Sequence, residues 1–142
     1  MIKVMPHTPT PGFTPGSKLT ILLVDDNDAV NYLTRYMLHA EAVQAEVEEL
    51  HNGRKALEYI ARYGMPDIIL LDICMPVMDG YEFLLALKKL NPDRSKTRIY
   101  ILSTSIIEWE QQKFEHTGMV SGFFEKPLNR EAILSILSDI RK

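Results

Sequence analysis

Short runs of apolar residues alternate along this chain with stretches in which the apolar residues have helical spacing. Flanked by turn-forming residues, such runs are typical of strands that are buried on both faces. Alternating strands and helices favour parallel βαβ units with right-handed crossovers. We therefore predict an α/β fold, a doubly wound, five-stranded parallel sheet with five helices. The predicted strands are Leu19–Val24, Ala45–Leu50 (an edge strand), 68–71, 98–102 and 120–124, and the fourth helix is predicted over 106–116.

The first 17 residues differ in composition from the rest of the chain. They contain four of its 8 prolines, Pro6, Pro9, Pro11 and Pro15. Proline has no backbone N–H to donate and disfavours both helix and sheet pairing. We predict a disordered, proline-rich arm over residues 1–17 and one folded domain over residues 18–142.

The net charge, the length of the apolar runs and the number of cysteines exclude several classes of protein. With 16 Lys and Arg against 19 Asp and Glu, the net charge is −3, which argues against a nucleic-acid partner. The apolar runs are far shorter than the roughly 20 residues of a membrane helix, so no membrane association is expected. Cys74 is the only cysteine, which excludes an intramolecular disulfide and favours a cytoplasmic location.

Polar side chains follow four of the five predicted strands. Asp25 and Asp26 end the first, Asp72 the third, Ser103 the fourth and Lys126 the fifth. In doubly wound sheets, ligands bind outside the carboxyl ends of the strands. Because clustered carboxylates repel one another, we predict a hard divalent cation, Mg²⁺, among the aspartates. Together with the Ser103 hydroxyl and the Lys126 ammonium group, the aspartates and the cation can hold a phosphoryl group. The carboxylate of Asp72 would be the nucleophile that receives it.

These motifs resemble the receiver domains of two-component response regulators, the CheY-like family. The resemblance is carried by residues 21–27, 67–80, 99–105 and 123–128, and it covers about residues 18–142. It implies a flavodoxin-like strand order of 2-1-3-4-5. It also implies that a sensor histidine kinase or a phosphotransfer protein donates a phosphoryl group to Asp72. The implied protein is not an enzyme with a separate substrate, since it catalyses only its own phosphorylation and dephosphorylation.

The resemblance also implies how Mg²⁺ is held. Asp26 and Asp72 would bind the ion, Asp25 would act mostly through a water molecule, and Cys74 would contribute its backbone carbonyl. Lys126 would pair with the phosphate, and a cis Lys126–Pro127 bond is expected.

Two further positions are implied to form a switch. Ser103 would bond a phosphoryl oxygen and move toward it, and Phe123 occupies the place of the switch aromatic. Cys74 and Ser105 stand at the two positions that tune phosphoryl lifetime, and both are small.

The fourth helix, fifth strand and fifth helix form the implied output face. Ile106, Ile107 and Trp109 begin the fourth helix, and not all three can face the core. We expect one isoleucine to be buried and Trp109 to contact a downstream protein or a second copy of the chain in a phosphorylation-linked homodimer. The chain ends after the fifth helix, so we expect a stand-alone receiver or a receiver cut from a longer protein.

Two alternatives remain open at this point. Asp26 and Asp28 have the spacing of the acids in a haloacid-dehalogenase-like, Mg²⁺-dependent phosphohydrolase, although 142 residues leave no room for its substrate cap. A degenerate receiver would bind partners without being phosphorylated, but the complete acidic set argues against it.

Overall fold

The computed structural model describes residues 2–3, 18–41 and 44–140, and helices and strands alternate along the chain as predicted. The strands are β1 (Ile2–Lys3), β2 (Leu19–Val24), β3 (Ala45–Leu50), β4 (Ile68–Asp72), β5 (Arg98–Ser103) and β6 (Gly122–Glu125). The helices are α1 (Asp28–Ala40), α2 (Gly53–Tyr63), α3 (Gly80–Leu90), α4 (Glu108–Glu115) and α5 (Arg130–Ile140).

One sheet joins all six strands in the order β1-β3-β2-β4-β5-β6. Strands β2 to β6 are parallel, and in the numbering of the predicted strands their order is 2-1-3-4-5. The predicted fold class and strand order are therefore confirmed. No helix in the described part of the chain combines the length and apolar character needed to cross a bilayer.

The central strands have apolar side chains on both faces, and successive residues feed two separate cores. Ile21 and Leu23 of β2 belong to the core beneath α1 and α5. Leu22 and Val24 belong to the other core, with Ala56 of α2 and other residues of α2, α3 and α4. Because side chains alternate across a strand, a continuous apolar run is what a strand covered on both faces requires. This packing fixes the carboxyl ends of β2, β4 and β5 side by side.

The amino-terminal segment differs in part from the predicted disordered arm. Ile2–Lys3 pair in antiparallel fashion with β3, with Ile2 opposite Val47, so β3 is not an edge strand. These two residues precede the first proline of the arm, Pro6, and both retain a backbone N–H to donate. The rest of the predicted arm lies outside the described residues.

Asn27 is the N-cap of α1, because its side chain accepts the N–H groups of residues 29 and 30. The starts of two elements also differ from the prediction. Helix α4 begins at Glu108 rather than at residue 106, since Ile107 is extended. Strand β6 begins at Gly122 rather than at residue 120. The chain turns at Gly118, whose φ of 72° is positive, and pairing with β5 begins opposite Tyr100.

Candidate functional site

The strand-end residues meet in one cleft at the carboxyl edge of the sheet. Its volume is ≈ 310 Å³. Side chains or backbone from the ends of β2, β4, β5 and β6 line it, and these include every metal-binding and phosphoryl-binding residue proposed above: Asp25, Asp26, Asp72, Cys74, Ser103 and Lys126.

A buried ammonium group joins two of the three aspartates. Lys126 Nζ lies 2.7 Å from Asp25 Oδ2 and 2.8 Å from Asp72 Oδ1. Asp25 and Asp72 are both buried, whereas Asp26 is exposed. The backbone N–H of Lys126 donates to the backbone carbonyl of Ser103 at 2.8 Å. This hydrogen bond joins the ends of β5 and β6 beside the cleft.

Burial and charge act in opposite directions on these groups. Burial raises the pKa of Asp72 above its usual range, the Asp25 charge adds to the rise, and the bond from Lys126 reduces it without cancelling it. Burial alone would lower the pKa of Lys126, but Asp25 and Asp72 together raise it above its usual value. Lys126 is therefore a permanent cation at neutral pH, and it counters one of the three carboxylate charges.

The remaining negative charge fits a divalent cation. Asp25, Asp26 and Asp72 each offer a carboxylate oxygen, and these oxygens lie within 4.8 Å of one another. An all-oxygen set that is open to solvent on one side suits Mg²⁺, which retains several waters and tends to join phosphate oxygens. The thiol of Cys74 is not part of this donor set, because the carboxylates group together without it and Mg²⁺ prefers oxygen ligands to sulfur. Its backbone carbonyl remains the group implied by the resemblance.

The β2 end is held by the first turn of α1. The backbone N–H of Asn27 donates to Asp25 Oδ1 at 2.9 Å. Asn31 Nδ2 donates to the backbone carbonyl of Asp25 at 3.0 Å, and Asn31 is only 1% exposed. Asn31 was missed in the sequence, although an amide on the buried side of an amphipathic helix is a signal, because a buried polar group requires a partner.

The loop between β4 and α3 is held tightly at both ends. Gly80 N–H donates to Ile73 O, and a side chain at Gly80 would overlap the backbone carbonyl of Asp72. Asp79 and Glu82 form a reciprocal capping box at the start of α3. Between these anchors Val77 has a positive φ of 70°, which is a strained conformation for a β-branched residue.

The loop between β5 and α4 makes mostly local contacts. Ser103 Oγ donates to Ser105 O at 2.6 Å and accepts the N–H of Ser105. Thr104 and Ser105 are exposed. Phe123 is half-buried against the core beneath α2, α3 and α4, and the Lys126–Pro127 bond is cis.

The start of α4 presents apolar side chains to solvent. Trp109 is 62% exposed and Ile107 is 46% exposed, whereas Ile106 is partly buried. The same helix contributes Glu110 to the lining of the cleft. Sequence reasoning missed Glu110, because a single glutamate in a polar helix carries no signal that distinguishes it from its neighbours.

Known proteins resemble most of the chain. The family model for the response regulator receiver domain matches residues 21–138. The chain is 31% identical to the chemotaxis protein CheY of Halobacterium salinarum over 120 residues, 84% of this chain and 94% of that protein. It is 33% identical to two-component response regulator 24 of Arabidopsis thaliana over 121 residues, 85% of this chain and 83% of that protein.

Solved structures agree with this relationship. A two-component response regulator from Cytophaga hutchinsonii superimposes with a TM-score of 0.81 at 27% identity, over 87% of this chain and 98% of that one. CheY4 of Vibrio cholerae superimposes with a TM-score of 0.74 at 28% identity, over 87% and 99%. With the family model matching most of its length, this chain belongs to the response regulator receiver domains of two-component signalling.

Proposed function

We propose that this receiver accepts a phosphoryl group on Asp72 in a Mg²⁺-dependent reaction and that a sensor histidine kinase or a phosphotransfer protein is the donor. The observation that carries the proposal is the position of Asp72. Its carboxylate is buried beside Lys126, which also contacts Asp25, in a cleft that is open to solvent. Membership of the receiver family leaves the phosphohydrolase alternative without support.

The transfer is a displacement at phosphorus. Lys126 holds Asp72 Oδ1 at 2.8 Å, so the other carboxylate oxygen is the one proposed to attack. As the new O–P bond forms, the P–N bond of the donor phosphohistidine breaks, and its electron pair remains on the imidazole. Asp25, Asp26, Asp72 and the Cys74 carbonyl would hold Mg²⁺, which supplies positive charge to the phosphoryl oxygens. Lys126 supplies a further positive charge from the chain.

Ser103 must change partners to take part. Its hydroxyl donates to Ser105 O, and it has one proton to donate. A hydrogen bond to a phosphoryl oxygen therefore requires that the bond to Ser105 break and that the hydroxyl rotate. We propose this rotation, with the neighbouring Phe123, as the switch between the two states.

The output face would be formed by α4, β6 and α5. Trp109 and Ile107 are its exposed apolar residues on α4, and large aromatic side chains are frequent anchors in interfaces. A downstream protein or a second copy of the chain would bind there, with no role for nucleic acid or membrane. A cytoplasmic location follows from the proposed partners, and the stand-alone role stays a prediction.

The test is the intact mass of the protein after incubation with acetyl phosphate and Mg²⁺. Wild-type protein should gain one labile phosphoryl group, and Asp72→Asn should gain none. Asp93→Asn is the matched control, since Asp93 is a fully exposed loop carboxylate and its loss should leave the adduct unchanged. Chelation of Mg²⁺ should abolish the adduct.

Two results of the mass assay would contradict the proposal. If folded wild-type protein gains no phosphoryl group, the chain is a degenerate receiver that binds partners without phosphorylation. If Asp72→Asn gains as much as wild type, the acceptor is another residue.

A further inference from the structure

Helix α4 brings a fourth carboxylate to the cleft. Glu110 lines the cleft together with Asp72, Ser103 and Lys126. Within the described residues, its carboxylate has no hydrogen bond or ion pair. Burial, the charge of Asp72 and the charge of Glu110 all raise the pKa of Cys74. The negative charge of Glu110 therefore acts on the loop that follows Asp72.

The carboxyl-terminal end of α4 is anchored to the rest of the domain. Phe114 is 1% exposed and meets the ring of Tyr81 edge-on, with 5.5 Å between centroids. Lys113 Nζ lies 4.0 Å from the centre of the same ring. Just beyond the helix, the carbonyl of Thr117 accepts a hydrogen bond from Lys88 Nζ at 3.0 Å.

The amino-terminal end of α4 lacks comparable anchors. Its N-cap residue, Ile107, makes no side-chain cap hydrogen bond, so the first-turn N–H groups have no side-chain acceptor at the cap. Ile107 and Trp109 are both exposed, and Phe114 is the only buried residue of the helix. A helix held at one end can tilt about that end without breaking its buried contacts.

Phosphorylation changes the charge in the cleft that Glu110 lines. A carboxylate of charge −1 at Asp72 becomes an acyl phosphate of charge about −2 at neutral pH. Like charges across a partly solvated cleft repel one another. A bound Mg²⁺ is present both before and after transfer, so it does not cancel the change.

We propose that Glu110 is the charge sensor of this receiver. Repulsion between its carboxylate and the phosphoryl group on Asp72 moves the first turn of α4 outward, together with Trp109, while Phe114 stays packed on Tyr81. This inference rests on the proposed phosphorylation of Asp72, and it adds a direct electrostatic route to the output face beside the rotation of Ser103.

A structural role for Glu110 predicts a different pattern. An acidic side chain in the first turn stabilises a helix through its dipole whichever way it points. Glu108 lies in the same turn, carries the same charge and is exposed, but it is not among the residues that line the cleft. Glu108→Gln is therefore the matched control for Glu110→Gln.

The experiment measures amide hydrogen exchange across α4, with and without beryllofluoride and Mg²⁺ as a stable mimic of the phosphoryl group. In wild type, exchange in the first turn should accelerate by about threefold to tenfold, the scale of one added charge in such a cleft. Trp109, the only tryptophan, should show a parallel change in emission. Glu110→Gln should lose most of both responses, whereas Glu108→Gln and Glu110→Asp should keep them.

Three results would overturn the inference. One is a full response in Glu110→Gln that still binds beryllofluoride, and another is an equal loss in Glu108→Gln. The third is a wild-type domain that gains its phosphoryl adduct with no change in α4, which leaves the proposed function intact. If the mass assay shows no adduct on wild type, the proposed function fails and the inference falls with it.

Discussion

Two loops flank the acceptor aspartate, and they are built in opposite ways. The loop from β4 to α3 has a capping box, a glycine packed on the acceptor's own carbonyl, and a hydrogen bond from Gly53 N–H to Met78 O. The loop from β5 to α4 has local hydroxyl bonds and an apolar N-cap. The first loop holds the proposed metal and acceptor groups in place. The second leaves the start of α4 with few constraints, which is the property that a responding element needs.

The largest predicted effect comes from breaking the rigid loop at its closest contact. Gly80→Ala should cost about 2–4 kcal/mol of unfolding free energy, since the new methyl group overlaps the Asp72 carbonyl and neither backbone can move freely. Urea denaturation measures the loss.

Gly118→Ala is the control for that variant. Gly118 has a positive φ but open space around the position of a Cβ, so the cost should be only about 1 kcal/mol. Equal costs at the two glycines would show that the contact with Asp72 does not constrain the loop.

A smaller effect is expected from the capping box. Asp79→Ala removes the acceptor for the Glu82 N–H and should cost about 1 kcal/mol in urea denaturation. Glu82→Gln keeps a side chain that can accept the Asp79 N–H, and its cost should be smaller. If the two variants are equally destabilised, the charge of Glu82 rather than the hydrogen-bond geometry supports the turn.

The smallest effect is expected from a variant that gives the loop from β5 to α4 the side-chain cap that the loop from β4 to α3 already has. Ile107→Asn places a capping side chain on an extended backbone (φ −101°, ψ 134°) where none exists. It should gain about 0.5–1 kcal/mol of unfolding free energy, and amide exchange in the first turn of α4 should slow. Ile107→Ala, which cannot cap, should do neither. A cap that leaves exchange unchanged would indicate that this turn is already as rigid as its counterpart in α3.

Sequence patterns could predict the parts of this molecule that repeat or that end a strand. The apolar runs around Leu22 and Ile69 predicted buried central strands, and the rule about strand ends selected Asp72 and Lys126 for one cleft. Elements too short to show a periodic sequence pattern could not be predicted. The two paired residues Ile2–Lys3 are such an element. The start of α4 was misplaced because apolar residues continue the helical spacing through Ile107, whereas the extended backbone of Ile107 places the first helical residue at Glu108.

Residues that act through tertiary placement were the hardest to find. Nothing near Glu110 in the sequence indicates which side of a short polar helix faces the cleft, since that depends on how Phe114 docks on Tyr81. Asn31 was recoverable in principle, because an amide at a buried helical position requires a partner, although its partner carbonyl was not predictable.

Lys126 offsets part of the carboxylate repulsion in the acidic cleft when no metal is bound. It is a counter-ion that belongs to the chain, within 2.8 Å of two buried carboxylates, so part of the cost of burying them is offset without an ion from solution. Folding and metal loading are thereby separated. On the proposed function, the domain would form in a metal-poor buffer and take up Mg²⁺ afterwards, with the exposed Asp26 as the first carboxylate that an arriving ion meets.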